Sequence, residues 1–536
     1  MVIAPNSKIK LIKNPLKLDS NNEIMFASKE AQYNYFNSLP KLEFDELTYI
    51  RTDGVLRIET DDSGNGLTYE DLLGYNFCMY QNTHFDNKWF YAFITDIKWV
   101  NPSLTDLKLE TAYFQTWQFD LIYKDSFIER EHVDNDTIGL HTIPEGLETG
   151  EYIVNDISKI DLGLSWYVMG VTKRYDSNWS RGGGIYNGIY SGKTYYAVRT
   201  SADVDGLIQV YDSAGYGEDI AELFIVPAKL IGNPTYDVSN PIYRIPQSAL
   251  KEEVESITIT RPNSLNGYVP KNNKLFTHPF QYILVDNNAG SSSDYHYELF
   301  TNPNSCKFSV IGALTPGTSM VLLPIAYLNS NSNPTQGNDL MPNLLNYGMQ
   351  LGKFPTCNWN TDLYTNWLTQ NGVNMTYGPY IAMAQNLIGG ISHQNIEGGA
   401  VSGVISGINA ITNNMIQKYQ HSFSPNQSKG NANSGDVITS CFANTPHFYK
   451  MSIKYEYAKA CDDYFSLFGY KVNRVGTPHL HVRNYFDFIK TINVNIEGDV
   501  PESDLNHIRS MFNNGIRFWH DTTNYLNFSV NNNIIS

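Results

Sequence analysis

Between Asp362 and Lys418 the chain carries one formal charge, Glu397. A stretch this apolar is an aggregation hazard if left bare in water, so the fold must hide it or pass it to another apolar surface. Ile381, Ala384, Leu387, Ile388 and Ile391 recur at helical spacing. Gly389 and Gly390 then weaken that helix. Beyond Glu397, Gly399, Gly403 and Gly407 recur every fourth residue, and Val401, Val404, Ile405, Ile408 and Ile411 fall on other stripes of the same helix. A Gly-x-x-x-Gly row lets backbones approach closely in an apolar medium. In water each Gly costs about 1 kcal/mol relative to Ala. Such a segment suits storage in one state and use in another. Asn386, His393, Gln394, Asn395 and Glu397 make it too polar for a permanent membrane span. Two readings stay open: an insertion segment like those of fusion or pore-forming proteins, and a buried loop lining an oligomer interface. His393 and Glu397 lie near its middle, where acidification adds one charge and removes another, so both are candidate pH-sensitive groups.

The rest of the chain reads as strands. Aromatics reach 13%, with 37 Tyr and 26 Phe, residue types that favour pleated, half-buried surfaces. From Leu107 to Tyr113 apolar or β-branched residues alternate with Lys108 and Glu110, the period of an antiparallel strand with one wet face. Asn101-Pro102-Ser103 marks a turn before it. Ser28 is placed to cap a helix through Tyr35 and Phe36. Trp166–Val171, Thr194–Val198, Ile257–Ile259 and Gln281–Val285 read as short strands. Phe308–Leu314 and Met320–Ile325 read as a hairpin around Thr315-Pro316-Gly317. The Gly-rich stretch Ser180–Gly188 reads as a loop. Near the C-terminus, Phe486–Ile496 reads as a strand. Pro501 opens a helix with Leu505, Ile508 and Phe512 on its buried stripe and Gly515 as its stop; Ile516–Trp519 reads as a further strand.

At roughly 150 residues per domain, 536 residues suggest about three or four. Texture divides the chain into residues 1–150, 151–340, the apolar 341–440 and 441–536. The first and last stretches share strand texture and are expected to meet in one domain. The net charge of −16 argues against a grip on DNA phosphates, yet suits a surface along which a polyanion moves without sticking. The five cysteines are widely spaced and include no Cys-x-x-Cys pair, so neither a disulfide framework nor a zinc module is expected. No leader peptide is expected from the first residues, and no run of 18 apolar residues suggests an ordinary span.

Catalytic readings find little support. Asp61-Asp62, Glu129 with Glu131, and Asp462-Asp463 are possible carboxylate pairs for a glycosidase, which needs two about 5–10 Å apart across a cleft. With 54 acidic residues such pairs arise freely. His479-x-His481 on a strand would put two rings on one face, but no third ligand completes a metal site. Asp61-x-Ser63-x-Asn65-Gly66 imitates the start of a calcium loop, with Leu72 where the closing Glu should stand.

Several stretches carry a resemblance. They are Asn273 to Pro279 (Asn-Lys-Leu-Phe-Thr-His-Pro), Tyr295-His-Tyr297, and Cys357 to Asp362 (Cys-Asn-Trp-Asn-Thr-Asp). After the Gly-rich segment come Phe468 to Arg474 (Phe-Gly-Tyr-Lys-Val-Asn-Arg), Ile496 to Pro501 and Gly515 to Asp521 (Gly-Ile-Arg-Phe-Trp-His-Asp). In this order the chain resembles the tail knob, or distal tail tube, proteins of small short-tailed phages of Gram-positive bacteria, from its start to about residue 525, apart from Ser180–Gly217. The resemblance implies a mainly β fold: antiparallel barrel- or sandwich-like tube domains with a β-rich knob and a long apolar loop. It implies a structural virion protein at the distal end of the tail, without enzymatic activity or cofactor. It further implies a homo-oligomer, hexameric in that family, in contact with a collar or upper tail protein and passing double-stranded DNA without sequence specificity. Ile381–Ile416 matches the loop that plugs the tube and enters the host cytoplasmic membrane. The alternatives are a receptor- or wall-binding tail protein and a wall hydrolase.

Overall fold

The structure, a computed structural model, describes residues 7–47, 54–61, 66–82, 87–163, 165–187, 189–237, 242–247, 253–288, 290–312, 314, 319–328, 348–353, 356–361, 427–433 and 445–535. Ile381–Ile416, with His393, Glu397 and the Gly399, Gly403, Gly407 row, lies outside the described residues. The chain divides into two compact units. Met1–Leu147 and Ala460–Ser536 form the first, Glu148–Lys459 the second.

The first unit holds a six-stranded antiparallel sheet, in the order Lys41–Leu47, Ser7–Ile12, Phe77–Asn82, Trp89–Asn101, Leu104–Thr111, Val55–Glu59. Alternation sets its two faces: Leu107 and Leu109 are buried, Lys108 and Glu110 exposed. Pro102 and Ser103 make the turn between the two longest strands. Tyr113 does not extend the alternation. It starts the helical turn Tyr113–Trp117, whose next four residues are all buried, and a strand would have turned half of them to water. Ser28 caps the helix Lys29–Ser38, its Oγ accepting the Ala31 N–H at 3.1 Å. That helix sinks Phe36 into the core, stacked on Phe77 at 4.9 Å.

A second sheet interleaves the two ends of the chain. Its order is Asn22–Ile24, Ile516–Trp519, Phe486–Ile492, Ser126–Glu131, Tyr470–Gly476. Asn22–Ile24 runs parallel to its neighbour and the other pairings are antiparallel. The strand expected at Phe486–Ile496 stops at Ile492, because Asn493 takes φ +53 and leaves the ladder. Ile496–Gly498 then pairs with Leu121–Tyr123. The helix Glu502–Asn514 buries Leu505, Ile508 and Phe512 as expected and ends at Gly515, φ +96. Pro501 is its N-cap, one position earlier than expected.

The second unit is built from three larger antiparallel sheets and a short hairpin. The seven-stranded sheet centres on Thr194–Val198, Ser165–Val171 and Ile220–Pro227. A four-stranded sheet runs Tyr152–Lys159, His447–Ile453, Gln281–Asp286, Ser292–Tyr295, and another Glu253–Thr260, Ser305–Ile311, Ser319–Pro324, Met349–Lys353. Val168, Tyr195, Ile283, Phe308, Leu322 and Phe448 meet in one core drawn from all three. The hairpin around Thr315-Pro316-Gly317 forms, with Phe308 opposite Pro324, and its turn lies outside the described residues. Ser180–Gly188 is more than a loop: Gly184–Tyr186 pairs with Ile189–Ser191. The helix Ser201–Ser213 was not expected; Thr200 and Asp203 close a capping box at its start. The mainly β, antiparallel class expected from sequence holds. No helix among the described residues is long and apolar enough to cross a membrane.

Candidate functional site

The wet face of the six-stranded sheet is a candidate working surface. Its charges are placed by register. Asp106 stands between Lys98 and Arg57 on the two neighbouring strands, and Lys108 stands opposite Asp96. Arg57 grips Asp106 with two hydrogen bonds, Nε at 2.7 Å and Nη2 at 2.9 Å. On the far strands Lys8 stands opposite Asp45. Opposite signs thus stand side by side on the strands either side of the uncharged Phe77–Asn82, and among the described residues no unbroken row of Lys and Arg crosses the sheet. A polyanion meeting such a face finds no strong electrostatic grip.

The second sheet of the same unit carries a buried ionic corner. Glu131, with its side chain buried, pairs with Arg474 Nε at 2.5 Å. Arg130 bonds Glu145 and gives Nη1 to the Gly469 carbonyl at 2.7 Å. Gly469 takes φ +64, where a Cβ would collide with the Glu131 carbonyl. Asp487 Oδ2 accepts the Val482 and Arg483 N–H groups and meets His520 Nε2 at 2.9 Å. His520 in turn packs on His481, ring centroids 3.9 Å apart. His132 Nδ1 accepts the Phe488 N–H at 3.0 Å, and burial pushes this imidazole down to about 4.

In the second unit Lys193 and Glu222, both buried, pair at 2.8 Å. Burial raises the Glu222 carboxyl above its ordinary range, and the Lys193 ammonium works against that rise. His278 and His296 stack face to face at 3.9 Å, with Glu298 Oε1 3.7 Å from His296 Nδ1. Two stretches that carry the resemblance, Asn273–Pro279 and Tyr295–Tyr297, are brought together here. Phe468–Arg474 and Gly515–Asp521 fall in the first unit's corner, at Gly469, Arg474 and His520; Ile496–Pro501 runs from the pairing with Leu121–Tyr123 to the helix cap, and Cys357 lies in the strand Thr356–Thr361.

Among the described residues the carboxylate pairs do not assemble a hydrolytic centre. Glu129 bonds Lys490 at 2.9 Å while Glu131 is committed to Arg474. Asp462 is buried and Asp463 exposed, so they point apart on their helix. Residues 62–65 lie outside the described residues. His479 and His481 are not on a strand: His479 turns toward Glu131 and His481 toward His520. Among the described residues no group of three or more His, Cys, Asp or Glu is placed to hold a metal ion.

Comparison with known proteins decides the family. A family model described as the C-terminal domain of the Bacillus phage phi29 tail knob protein gp9 matches residues 243–534. The chain belongs to this tail knob family. A second model, the caudoviral major tail protein N-terminus, matches residues 5–123, which contain the whole six-stranded sheet. The tail knob protein gp9 of Bacillus phage phi29 is 24% identical over 97% of each chain. That of Bacillus phage B103 is 24% identical over 94% of this chain and 95% of its own. The solved structure of the bacteriophage C1 tail knob protein, gp12, superposes with a TM-score of 0.64 at 16% identity, covering 99% of this chain and 100% of that one. This tail knob protein is thus a structural component of a phage virion, located at the tail.

Sequence reasoning missed the tail knob protein's buried pairs, Lys193 with Glu222 and Arg130 with Glu145. Each joins a strand residue to one in a connecting segment, and no local spacing signals them. For His132, Asp487 and His520 the one sequence signal was the closing Trp-His-Asp, which carries His520.

Proposed function

We propose that this tail knob protein forms the distal tail tube, a conduit for genome ejection, as a closed ring of copies, six by family resemblance. In this reading residues 1–150 and 441–536 build the tube and 151–340 the knob. Residues 341–440 carry the apolar segment. Ile381–Ile416 plugs the lumen before infection and afterwards enters the host cytoplasmic membrane as part of a channel, with His393 and Glu397 responding to acid. The ring contacts an upper tail or collar protein and passes double-stranded DNA without reading its sequence. The role is non-catalytic.

One observation carries this reading: a single chain joins a caudoviral major tail protein match at residues 5–123 to a tail knob match at 243–534. The paired-charge face of the six-stranded sheet adds support, because a conduit must let a polyanion slide. The membrane role rests on the apolar, Gly-spaced sequence of Ile381–Ile416. Two experiments test it. Electron cryo-microscopy of the assembled protein reports ring and lumen, and an assembly without a lumen wide enough for duplex DNA removes the conduit. Dye leakage from anionic liposomes, with the full chain and with a 381–416 deletion at neutral and acidic pH, tests insertion. Equal leakage from both forms removes the membrane role and leaves the segment as a plug.

A further inference from the structure

His132 sits between two alternatives. Its Nδ1 accepts the Phe488 N–H at 3.0 Å, and its Nε2 lies 3.2 Å from the Ser466 carbonyl, to which it must donate. Both bonds require a neutral ring with its proton on Nε2. On the other side of Nδ1, Asp487 Oδ1 lies 3.7 Å away, buried and without a hydrogen-bond partner. The partner oxygen of that carboxylate is already committed to Val482, Arg483 and His520. An acceptor in use and an anionic oxygen in waiting therefore flank one titratable nitrogen.

We propose that His132 is a two-position proton switch in the first unit. Neutral, it holds the Phe488 N–H; protonated, it turns Nδ1–H to Asp487 Oδ1 and releases Phe488. One N–H bond forms, at Nδ1, with a proton taken from solvent, and the other changes are exchanges of hydrogen bonds. Phe488 lies in the middle sheet strand Phe486–Ile492, and its carbonyl accepts the His132 N–H at 3.1 Å. Proton uptake therefore loosens the junction between that strand and the end of Ser126–Glu131. His481 is exposed, and its ring packs on His520, so the cluster reaches from solvent to the buried His132.

The charges around the ring set the sign. Asp487, on the strand of Phe488, favours the protonated form, as does the Ser466 carbonyl from the helix Tyr455–Phe468. Arg483, before that strand, and Arg517, on the neighbouring one, oppose it, and burial opposes it most. Through Asp487 the cluster extends to His520 and, packed on it, His481, whose imidazole burial also lowers. His132 is thus neutral in the folded state down to about pH 4, against about 6.5 unfolded. The protection it gives is present above about pH 6.5 and is lost as pH falls toward 4.

The test is amide hydrogen exchange on the full chain at pH 7.5 and 5.0, corrected for the intrinsic pH dependence of exchange. Peptides spanning 486–492 should exchange tenfold or more faster at pH 5.0. His132→Asn, whose Oδ1 keeps the acceptor but cannot titrate, should abolish that difference. Unchanged protection in the wild type overturns the switch, as does a His132→Asn chain that still responds. Should the variant fail to fold, the His132 ring resonances of the wild type decide: a midpoint below 5.5 supports the switch, and one at 5.5 or above overturns it.

Discussion

The Trp117 indole Nε1 donates a 3.0 Å hydrogen bond to Asp504 Oδ2, tying together side chains 387 positions apart. The bond joins the turn that leaves the six-stranded sheet to the first turn of the helix Glu502–Asn514. Trp117→Phe keeps the apolar body and removes the donor. It should destabilise the first unit by about 1 kcal/mol or somewhat more, since the acceptor is charged. A double-mutant cycle with Asp504→Ala, measured by denaturant unfolding, should return a coupling energy of about 0.5–2 kcal/mol. Additive effects would show that the bond contributes nothing.

Glu23 is buried in the first unit, bonded to Gln115 Nε2 at 2.7 Å. Burial raises its carboxyl to about 8, with Asp19 adding to the rise and Gln115 opposing it. The folded value exceeds the unfolded one. Its stability contribution is therefore full below about pH 4.5 and fades as pH rises toward 8. Glu23→Gln should flatten that slope and raise stability at pH 8 by on the order of 1–3 kcal/mol. Thermal unfolding across pH 5–8 measures both effects, and an unchanged slope would contradict the assignment.

The buried Lys193–Glu222 pair should behave asymmetrically. Lys193→Met alone leaves an uncompensated buried carboxylate and should cost about 3–5 kcal/mol. Replacing both, with Glu222→Leu added, should recover most of that loss. Denaturant titrations followed in the second unit distinguish this from a simple sum of two losses.

Gly469→Ala should be among the most damaging small substitutions in the first unit. It places a Cβ both at φ +64 and against the Glu131 carbonyl, so either the helix end or the strand Ser126–Glu131 must move. The expected cost is about 3 kcal/mol or more, the sum of backbone strain and overpacking. A change within 1 kcal/mol would mean the two elements part easily.

Period and punctuation made most strands legible. Thr194–Val198 and Ile516–Trp519 are found at the residues expected, and Ser28 caps the helix it was expected to cap. What escaped was set by tertiary packing. Tyr113 continues the alternation in sequence yet turns into a helix, because Phe114 and Trp117 must both be buried. The helix Ser201–Ser213 carried a readable start in Thr200 and Asp203, but Gly206 inside it weakened the pattern. The ionic corner was not readable, since Glu131 and Arg474 meet across 343 positions and His132 and Asp487 come together only once Ser126–Glu131 pairs with Phe486–Ile492. The apolar segment Ile381–Ile416, the most distinctive feature of the sequence, lies outside the described residues.

Ser126–Glu131 has as its two sheet neighbours Phe486–Ile492 and Tyr470–Gly476, both from the last 77 residues of the chain. A ribosome adding about 5–20 residues per second finishes the first strand long before it makes either neighbour. The opening unit waits, unclosed, through the synthesis of everything between. A messenger broken or a reading frame lost anywhere upstream of residue 470 yields a product that lacks this sheet. An early strand thus depends on strands made last, and the order of synthesis ties this sheet to the far end of the reading frame.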